Sequence, residues 1–359
     1  MGRNLLDIYI EKRRDSLQKK ADKHHLFSDW WYCVVNGKSY KKVPFFKRIK
    51  MYIHGFESDA YVNYSLDKNN YKDYLTETQR WKSRGINGAY NIVLDDKRLF
   101  YEAFSSHVKI PKTVLNIVHN VVTDYETQEE VKVEDILDYI KKYKGLAFRP
   151  ASSGGGKYVS IVVYKDGKYD VNGKLMGKKD TIEFLKTQCD DVVTEYVFQH
   201  EYAKKIFPKS VNTIRIVTTQ MKDGQCIIPI ALHRFGTEQS KPVDNACSGG
   251  IFAMVDVDTG RVGPCKSYLT DDTYYTHPDT GEKIDGIVIP RWDEIKEKVI
   301  KIAKKFPYIK FIGWDIVVTE DDFAVIEGNT STGFGFFQMF GPAKNSKIGE
   351  FYKENGIVK

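Results

Sequence analysis

Phe311-Ile-Gly-Trp-Asp-Ile-Val-Val318, the turn Thr319-Glu-Asp-Asp322 and Phe323-Ala-Val-Ile-Glu-Gly-Asn329 together decide how this chain is read. Both flanks are apolar runs of strand length and the link between them is polar, so the stretch predicts an antiparallel hairpin. With a loop over residues 320–322, Thr319 faces Phe323, Val317 faces Val325 and Asp315 faces Glu327. The two-residue period puts Glu327 and Asn329 on one face. Three oxygen-bearing side chains therefore converge. Two carboxylates held this close repel each other. A divalent cation between them relieves the repulsion, and hard oxygen donors suit Mg²⁺. The competing reading is a hairpin whose polar end faces water, and a one-residue slip would undo the opposition. The apolar neighbours Trp314, Ile316 and Ile326 favour the metal.

A second motif lies upstream. Ser152-Ser153-Gly154-Gly155-Gly156-Lys157 has the composition of a phosphate cradle. Glycines let backbone N–H groups approach an anion, and the lysine adds charge. It is not a Walker A loop: Ala151 stands where the first glycine belongs and Tyr158 where Ser or Thr belongs. Strands are expected on both sides, over residues 146–150 and 158–164, which makes the loop a hairpin tip that folds over phosphates as a lid. A flexible tip with no ligand is the alternative.

Around these motifs the period alternates. Helices are expected over residues 1–25, across most of 69–107, and over 133–144, 178–188 and 292–305. Asp95 or Asp96 is the expected N-cap before Lys97. Further strands are expected over 191–197, 211–221, 226–235 and 250–257. The pattern is thus mostly helical and basic at first, and strand-rich from residue 146 onward.

Bulk properties narrow the function. A chain of 359 residues with 23 Tyr and 20 Phe has ample material for a core. The net charge of +7 is compatible with an anionic ligand, and nucleic acid is not expected as a partner. Five scattered cysteines without C-x-x-C spacing argue against zinc or a disulfide framework and suit a reducing cytosol. No signal peptide or membrane span is expected. Basic residues near the start (Lys12, Arg13, Arg14, Lys19, Lys20, Lys23) and over 38–50 allow contact with a membrane surface or a protein partner.

The order of motifs resembles the ATP-grasp superfamily, and most nearly its sugar-transfer-associated branch. The resemblance is carried by His54-Gly-Phe56, Ser210-Val-Asn-Thr-Ile-Arg-Ile-Val-Thr218, Asn245-Ala-Cys-Ser-Gly-Gly250, Gly313-Trp-Asp315 and Glu327-Gly-Asn329. It implies an α+β chain with the ATP-grasp fold, in which two α+β subdomains grip ATP: a mostly helical, basic N-terminal region over 1–108, a lid subdomain with the glycine loop over 109–194 and a C-terminal subdomain with the metal site over 195–359. It implies ATP and Mg²⁺ as cofactors, with Mn²⁺ as a substitute. Lys97 and Arg149 then reach the nucleotide phosphates, Ser153, Gly154, Gly155, Gly156 and Lys157 form the lid, and Glu195, Tyr196 and Val197 form the adenine hinge. Glu201 meets the ribose. Asp315, Glu327 and Asn329 hold the metal. Arg215 and Arg234 hold the transferred phosphoryl oxygens, although a salt bridge competes for Arg215. Asn212, Asn245, Ser248, Gly249 and Gly250 are candidate substrate contacts, with a plain turn as the alternative for the last four.

The implied activity is an ADP-forming carboxylate–amine ligase working through an acyl phosphate on a sugar or polysaccharide precursor. A phosphotransferase acting on a hydroxyl, or a non-catalytic ATP-binding partner of a glycosyltransferase, are the alternatives. The expected location is cytoplasmic, with possible attachment to the inner face of the membrane.

Overall fold

The computed structural model describes residues 27–28, 30–36, 39–151, 158–330 and 332–358. The helix expected over 1–25, and the loop carrying Ser153, Gly154, Gly155, Gly156 and Lys157, lie outside the described residues. In chain order the helices are α1 (Phe45–Ile53), α2 (Ala60–Asn63), α3 (Glu77–Asn87), α4 (Asn91–Asp95), α5 (Lys97–Phe104), α6 (Ile136–Lys142), α7 (Lys178–Leu185), α8 (Glu201–Ile206), α9 (Trp292–Lys305), α10 (Phe334–Gln338) and α11 (Lys347–Glu354).

The chain forms two compact units. The first comprises residues 1–85 and 333–359. Among its described residues it is helical, with a core that includes Met51, Phe56, Phe334, Phe351 and Tyr352. Its two segments are joined by Gln338. That side chain accepts from the Leu75 N–H (2.6 Å) and donates to the Leu75 carbonyl (2.9 Å), so a buried amide satisfies a buried backbone unit.

The second unit, residues 86–332, holds two seven-stranded antiparallel sheets. The first contains β1 (Thr113–Val118), β2 (Val121–Asp124), β3 (Gly145–Pro150), β4 (Ser160–Lys165), β5 (Lys168–Val171), β6 (Lys174–Met176) and β7 (Asp191–Glu195), in the spatial order β2-β1-β7-β3-β4-β5-β6. Residues of α6 and α7 share its core: Ile136, Leu137, Ile140 and Leu185 pack with Leu115, Leu146, Phe148 and Val193. Asp166 and Gly167 both have positive φ, and this turn closes β4 on β5 as the sequence predicts. The same signal stands unrecognised at His119-Asn120, which turns β1 into β2.

The second sheet contains β8 (Ile214–Gln220), β9 (Cys226–Phe235), β10 (Ile251–Val255), β11 (Val262–Ser267), β12 (Thr273–Tyr274), β13 (Phe311–Val318) and β14 (Phe323–Asn329), in the order β12-β11-β10-β9-β8-β13-β14. All eight residues of β13 are buried, which explains its nearly unbroken apolar sequence. One face carries Ile312, Trp314, Ile316 and Val318 into a core shared with Ile295, Val299 and Ile302 of α9 and Phe100 and Phe104 of α5. The opposite face carries Gly313, Asp315 and Val317.

The hairpin register differs from expectation at its turn and agrees at its base. Val318 faces Phe323, Val317 faces Ala324 and Ile316 faces Val325, because Thr319 belongs to the loop and its N–H donates to the Asp322 carbonyl (2.8 Å). A β-bulge then adds Ile326 as an unpaired residue, and Asp315 meets Glu327 after all.

Candidate active site

Strand pairing aligns the first row of charges. Arg215 of β8 faces Asp315 of β13, which faces Glu327 of β14. Gly313, Asp315 and Arg215 share this face with Asn329, which pairs with Gly313. Glycine is required at position 313, since a Cβ there would lie 2.3 Å from Thr332 Oγ1 and 3.4 Å from Arg215 Cδ.

Two arginines close on Asp315. Arg215 donates through Nε to Oδ1 and through Nη2 to Oδ2 (2.9 Å). Arg234 Nη2 donates to the same Oδ2 (2.9 Å). Arg234 also donates through Nε to Thr213 Oγ1 (2.9 Å) and lies 3.4 Å from Asp244 Oδ2. Asp244 accepts in turn from the Thr213 N–H (2.8 Å). Burial by itself pushes the Asp315 carboxyl up, but the Arg215 and Arg234 charges outweigh it and hold it below the usual range.

Glu327 meets cations of a different origin. Asp96 caps α5 by accepting from the Arg98 and Leu99 N–H groups (2.9 and 3.1 Å). That cap fixes Lys97 at the first helical position, with Nζ 3.9 Å from Glu327 Oε2 and donating to the Pro150 carbonyl (3.1 Å). Arg149, near the end of β3, donates from Nη1 to the Ile326 carbonyl (3.2 Å), the residue that the bulge leaves unpaired. Burial and then the Asp315 charge raise the Glu327 carboxyl above its ordinary value. Burial lowers both Lys97 and Arg149, with Glu327 opposing the shift in each.

The cluster gathers Lys97, Arg149, Arg215 and Arg234 against Asp244, Asp315 and Glu327. Arg149 Nε is buried without a hydrogen-bond partner. A buried guanidinium N–H left unpaired is costly, and phosphate oxygens are the acceptors that suit its fork. The residues present therefore fit a phosphate-bearing ligand.

They also fit a hard divalent cation. Asp315, expected as one of its ligands, is held here by Arg215 and Arg234. A carboxylate offers about four lone-pair directions, and the two arginines occupy three of them. Glu327 and the Asn329 amide oxygen are the open donors, since Asn329 uses only Nδ2, toward the Gly313 carbonyl (3.4 Å). Among the described residues no three His, Cys, Asp or Glu side chains form a ready cage. Such a site suits Mg²⁺, which takes few protein ligands and completes its shell with water and phosphate.

Other expected residues lie elsewhere or are already engaged. The Tyr196 N–H donates to the Gly145 carbonyl (3.0 Å), and Glu195 Oε1 accepts from the Lys112 N–H (3.1 Å). Val197 follows the end of β7, and its N–H joins no hydrogen bond among the described residues. Glu201 is not brought to the charged cluster: its half-exposed side chain pairs with Lys204 (3.4 Å). Asn212 is fully engaged in the fold. Its Nδ2 donates to the Ala203 and Phe207 carbonyls (2.9 Å each) and its Oδ1 accepts from the Gly236 N–H (3.0 Å), which leaves nothing for a substrate. Asn245 caps a short 3₁₀ turn by accepting from the Cys247 N–H (2.9 Å), Ser248 is exposed, and Gly249 supplies that turn with a φ of +113°. At Gly250 a Cβ would meet the Asp244 carbonyl oxygen at 2.6 Å. The turn reading accounts for all four.

Sequence reasoning missed Asp244, Thr213 and Asp191. Asp191 opens β7, is only 5% exposed, and lines a cleft of about 330 Å³ with Arg98, Asn116 and Ala151. Burial pushes its carboxyl up to about 6. The signal available was a carboxylate at the head of an apolar run, the same signal that marks Glu327 at the end of one.

The model of one protein family, sugar-transfer associated ATP-grasp, matches residues 78–347. The chain belongs to that family. Its fold is therefore the ATP-grasp fold, in the α+β class that the resemblance implies. No curated protein matches the chain. Among solved structures it is similar to the ATP-grasp ligase PsnB with minimal precursor, Mg and ADP (14% identity, 77% of this chain and 64% of that one, TM-score 0.39). It is also similar to a Chryseobacterium gregarium RiPP-associated ATP-grasp ligase (13%, 78% and 67%, TM-score 0.41) and to D-alanine–D-alanine ligase from Bacillus anthracis (14%, 74% and 64%, TM-score 0.35). The chain spans less than two thirds of the length of PsnB.

Proposed function

We propose that this chain is an ATP- and Mg²⁺-dependent carboxylate–amine ligase acting on a sugar or polysaccharide precursor. The observation that carries the reading is the buried cluster around Asp315 and Glu327, in which Arg149 Nε lacks an acceptor and Glu327 is met by Lys97 at no closer than 3.9 Å. Both shortages are met together by a metal-bound polyphosphate.

In the proposed reaction a substrate carboxylate oxygen bonds to the γ-phosphorus of ATP as the bond to the β-bridging oxygen breaks, releasing ADP. An amine then attacks the acyl carbon, the carbon–oxygen bond to phosphate breaks, and the amine loses a proton. Lys97 and Arg149 bind and orient the phosphates. Arg234 and Arg215, fixed by Asp315, present N–H groups to the developing charge on oxygen without reorganising. Glu327 and Asn329 would hold Mg²⁺, which supplies charge neutralisation across the phosphates. The Val197 backbone N–H is open for the adenine edge. The family's link to sugar transfer supports the substrate class, and the buried thiols of Cys226 and Cys265 are in keeping with a cytoplasmic setting.

The test pairs candidate sugar acids with amines under Mg·ATP and follows products by mass spectrometry, with hydroxylamine as a trap. Hydroxamate formed together with ADP supports the ligase, and Glu327→Gln should abolish it. A stable phosphoester product would instead assign a phosphotransferase. Tight ATP binding without turnover on any substrate pair would leave a binding partner of a glycosyltransferase.

A further inference from the structure

Helix α1 is built the wrong way round for a helix surrounded by water. Its one buried residue is Met51. At 100° per residue, Phe45, Ile49, Ile53 and Phe46 fall in one arc of about 100° centred opposite Met51. An ordinary surface helix carries charge there. Here Phe45 is 67% exposed, Phe46 83%, Ile49 38% and Ile53 73%. The preceding segment is joined to α1 by Trp30 Nε1, which donates to the Tyr52 carbonyl (3.0 Å), and it adds exposed Phe27 and Trp31.

Along α1 and the stretch of sequence just before it, the charge has a single sign. Residues 38–53 contain Lys38, Lys41, Lys42, Lys47, Arg48 and Lys50 and no acidic residue. Lys47 and Lys50 are exposed and lie over the rings of Tyr61 and Tyr71, each 5.5 Å from the centroid.

We propose that α1 docks this protein on an anionic lipid surface, with Phe45, Phe46, Ile49 and Ile53 entering the headgroup region and Arg48 and Lys50, which border that arc on either side, together with the basic segment before the helix, meeting lipid phosphates. Aromatic and aliphatic side chains on one face with lysines beside them are the pattern of helices that lie in the membrane interface. Protein interfaces are also rich in aromatics, but they are depleted in lysine. The charge therefore selects lipid over a protein partner. Among the described residues no helix is long and apolar enough to cross a membrane, so this contact is peripheral. Each basic residue near an anionic leaflet adds attraction that fades within a Debye length. Binding must accordingly weaken with salt.

The test is co-sedimentation of the full chain with phosphatidylcholine vesicles, with and without about one third phosphatidylglycerol. The wild type should bind the anionic vesicles at least about tenfold more tightly than the neutral ones, and salt should weaken it. Phe46→Ser with Ile53→Ser should reduce binding about tenfold or more while the melting temperature and ADP formation stay unchanged, because these side chains are exposed. Separately, Lys42→Gln with Lys50→Gln should reduce binding about tenfold or more and flatten its salt dependence while ADP formation stays unchanged. No binding to anionic vesicles, or binding that neither pair of substitutions alters, overturns the proposal. So does self-association in sedimentation velocity that Phe46→Ser with Ile53→Ser abolishes, since the apolar arc then belongs to a second copy.

Discussion

Glu327 is where two costs meet. It is a buried carboxylate beside another carboxylate, and its nearest cation, Lys97, is 3.9 Å away. Its replacement by glutamine keeps the shape and removes the charge. Glu327→Gln should therefore fold at least as stably as the wild type in the absence of ligand, while ADP formation falls by about 10²–10³-fold. Circular dichroism melting and a coupled ADP assay separate the two effects, and a variant that fails to fold would count against this account of the site. Arg149→Met makes the complementary change. It removes the unsatisfied Nε but also the donor to the Ile326 carbonyl, so the apo protein should lose about 1–3 kcal/mol while the ADP dissociation constant rises about tenfold or more, the expected loss of one charge-assisted contact. Asp191 provides a test by pH. Its carboxyl is raised to about 6 in the fold, chiefly by burial, against about 4 in an unfolded chain. The folded state then binds more protons between those values, so this residue makes stability fall as pH rises from about 4 to about 6. Asp191→Asn should raise the melting temperature by about 2–4 °C at pH 7.5 and leave it unchanged at pH 4, as a gain on the order of 1 kcal/mol implies. An equal shift at both pH values would assign the effect to packing.

At the scale of elements, the base of the β13–β14 hairpin rests on a bulge that no periodicity reveals. The sequence supplied the strands, the turn and the meeting of Asp315 with Glu327, because apolar runs and a polar link are local signals. The expected register was nonetheless wrong beside the turn: Val317 faces Ala324, and the extra residue, Ile326, restores the base. A bulge is decided by what surrounds it, and here Arg149 takes the carbonyl that the ladder releases. Helix α9 was legible to the residue, because fourteen residues of helical period leave little ambiguity. Strands β1 and β2 were not anticipated, since a six-residue run interrupted by Asn116 does not separate strand from helix. At the site the sequence pointed to Asp315, but it could not show that two arginines from other strands already hold it. Nor could it show that Asn212 serves the backbone. The first depends on strands 100 and 81 residues apart in the chain, and the second on how the chain turns after α8, where carbonyls 9 and 5 residues back meet the Asn212 amide. The close approach at Gly313 can be tested directly. Gly313→Ala places a Cβ 2.3 Å from Thr332 Oγ1, and overpacking of this kind costs about 1–3 kcal/mol. Urea unfolding should show that loss, and Thr332→Ala in the same chain should recover most of it. A double variant as unstable as the sum of its parts would mean that the clash is not the cause.

At the scale of the whole molecule, the opposed charges of the second unit predict linked binding. The cluster has cations for phosphate and open oxygen donors for a metal, so each ligand should improve the site for the other, and the coupling must be reciprocal. Mg²⁺ without nucleotide meets Glu327 and Asn329 alone and should stabilise the protein little. ADP without Mg²⁺ meets Lys97 and Arg149 but brings its own charge toward Glu327, so it should bind weakly. Together they should stabilise the chain by about 2.7 kcal/mol when the free complex is at about a hundred times its dissociation constant, a rise of roughly 5 °C in melting temperature. Melting curves of the full chain with Mg²⁺, with ADP and with both supply the three measurements. Glu327→Gln should lose the coupling and keep the response to ADP, whereas Arg149→Met should weaken the response to ADP and keep the coupling. If ADP stabilised the wild type equally with and without Mg²⁺, the oxygen donors at the base of the hairpin would not be holding a metal, and the charged row would have to be read as a salt-bridge network alone.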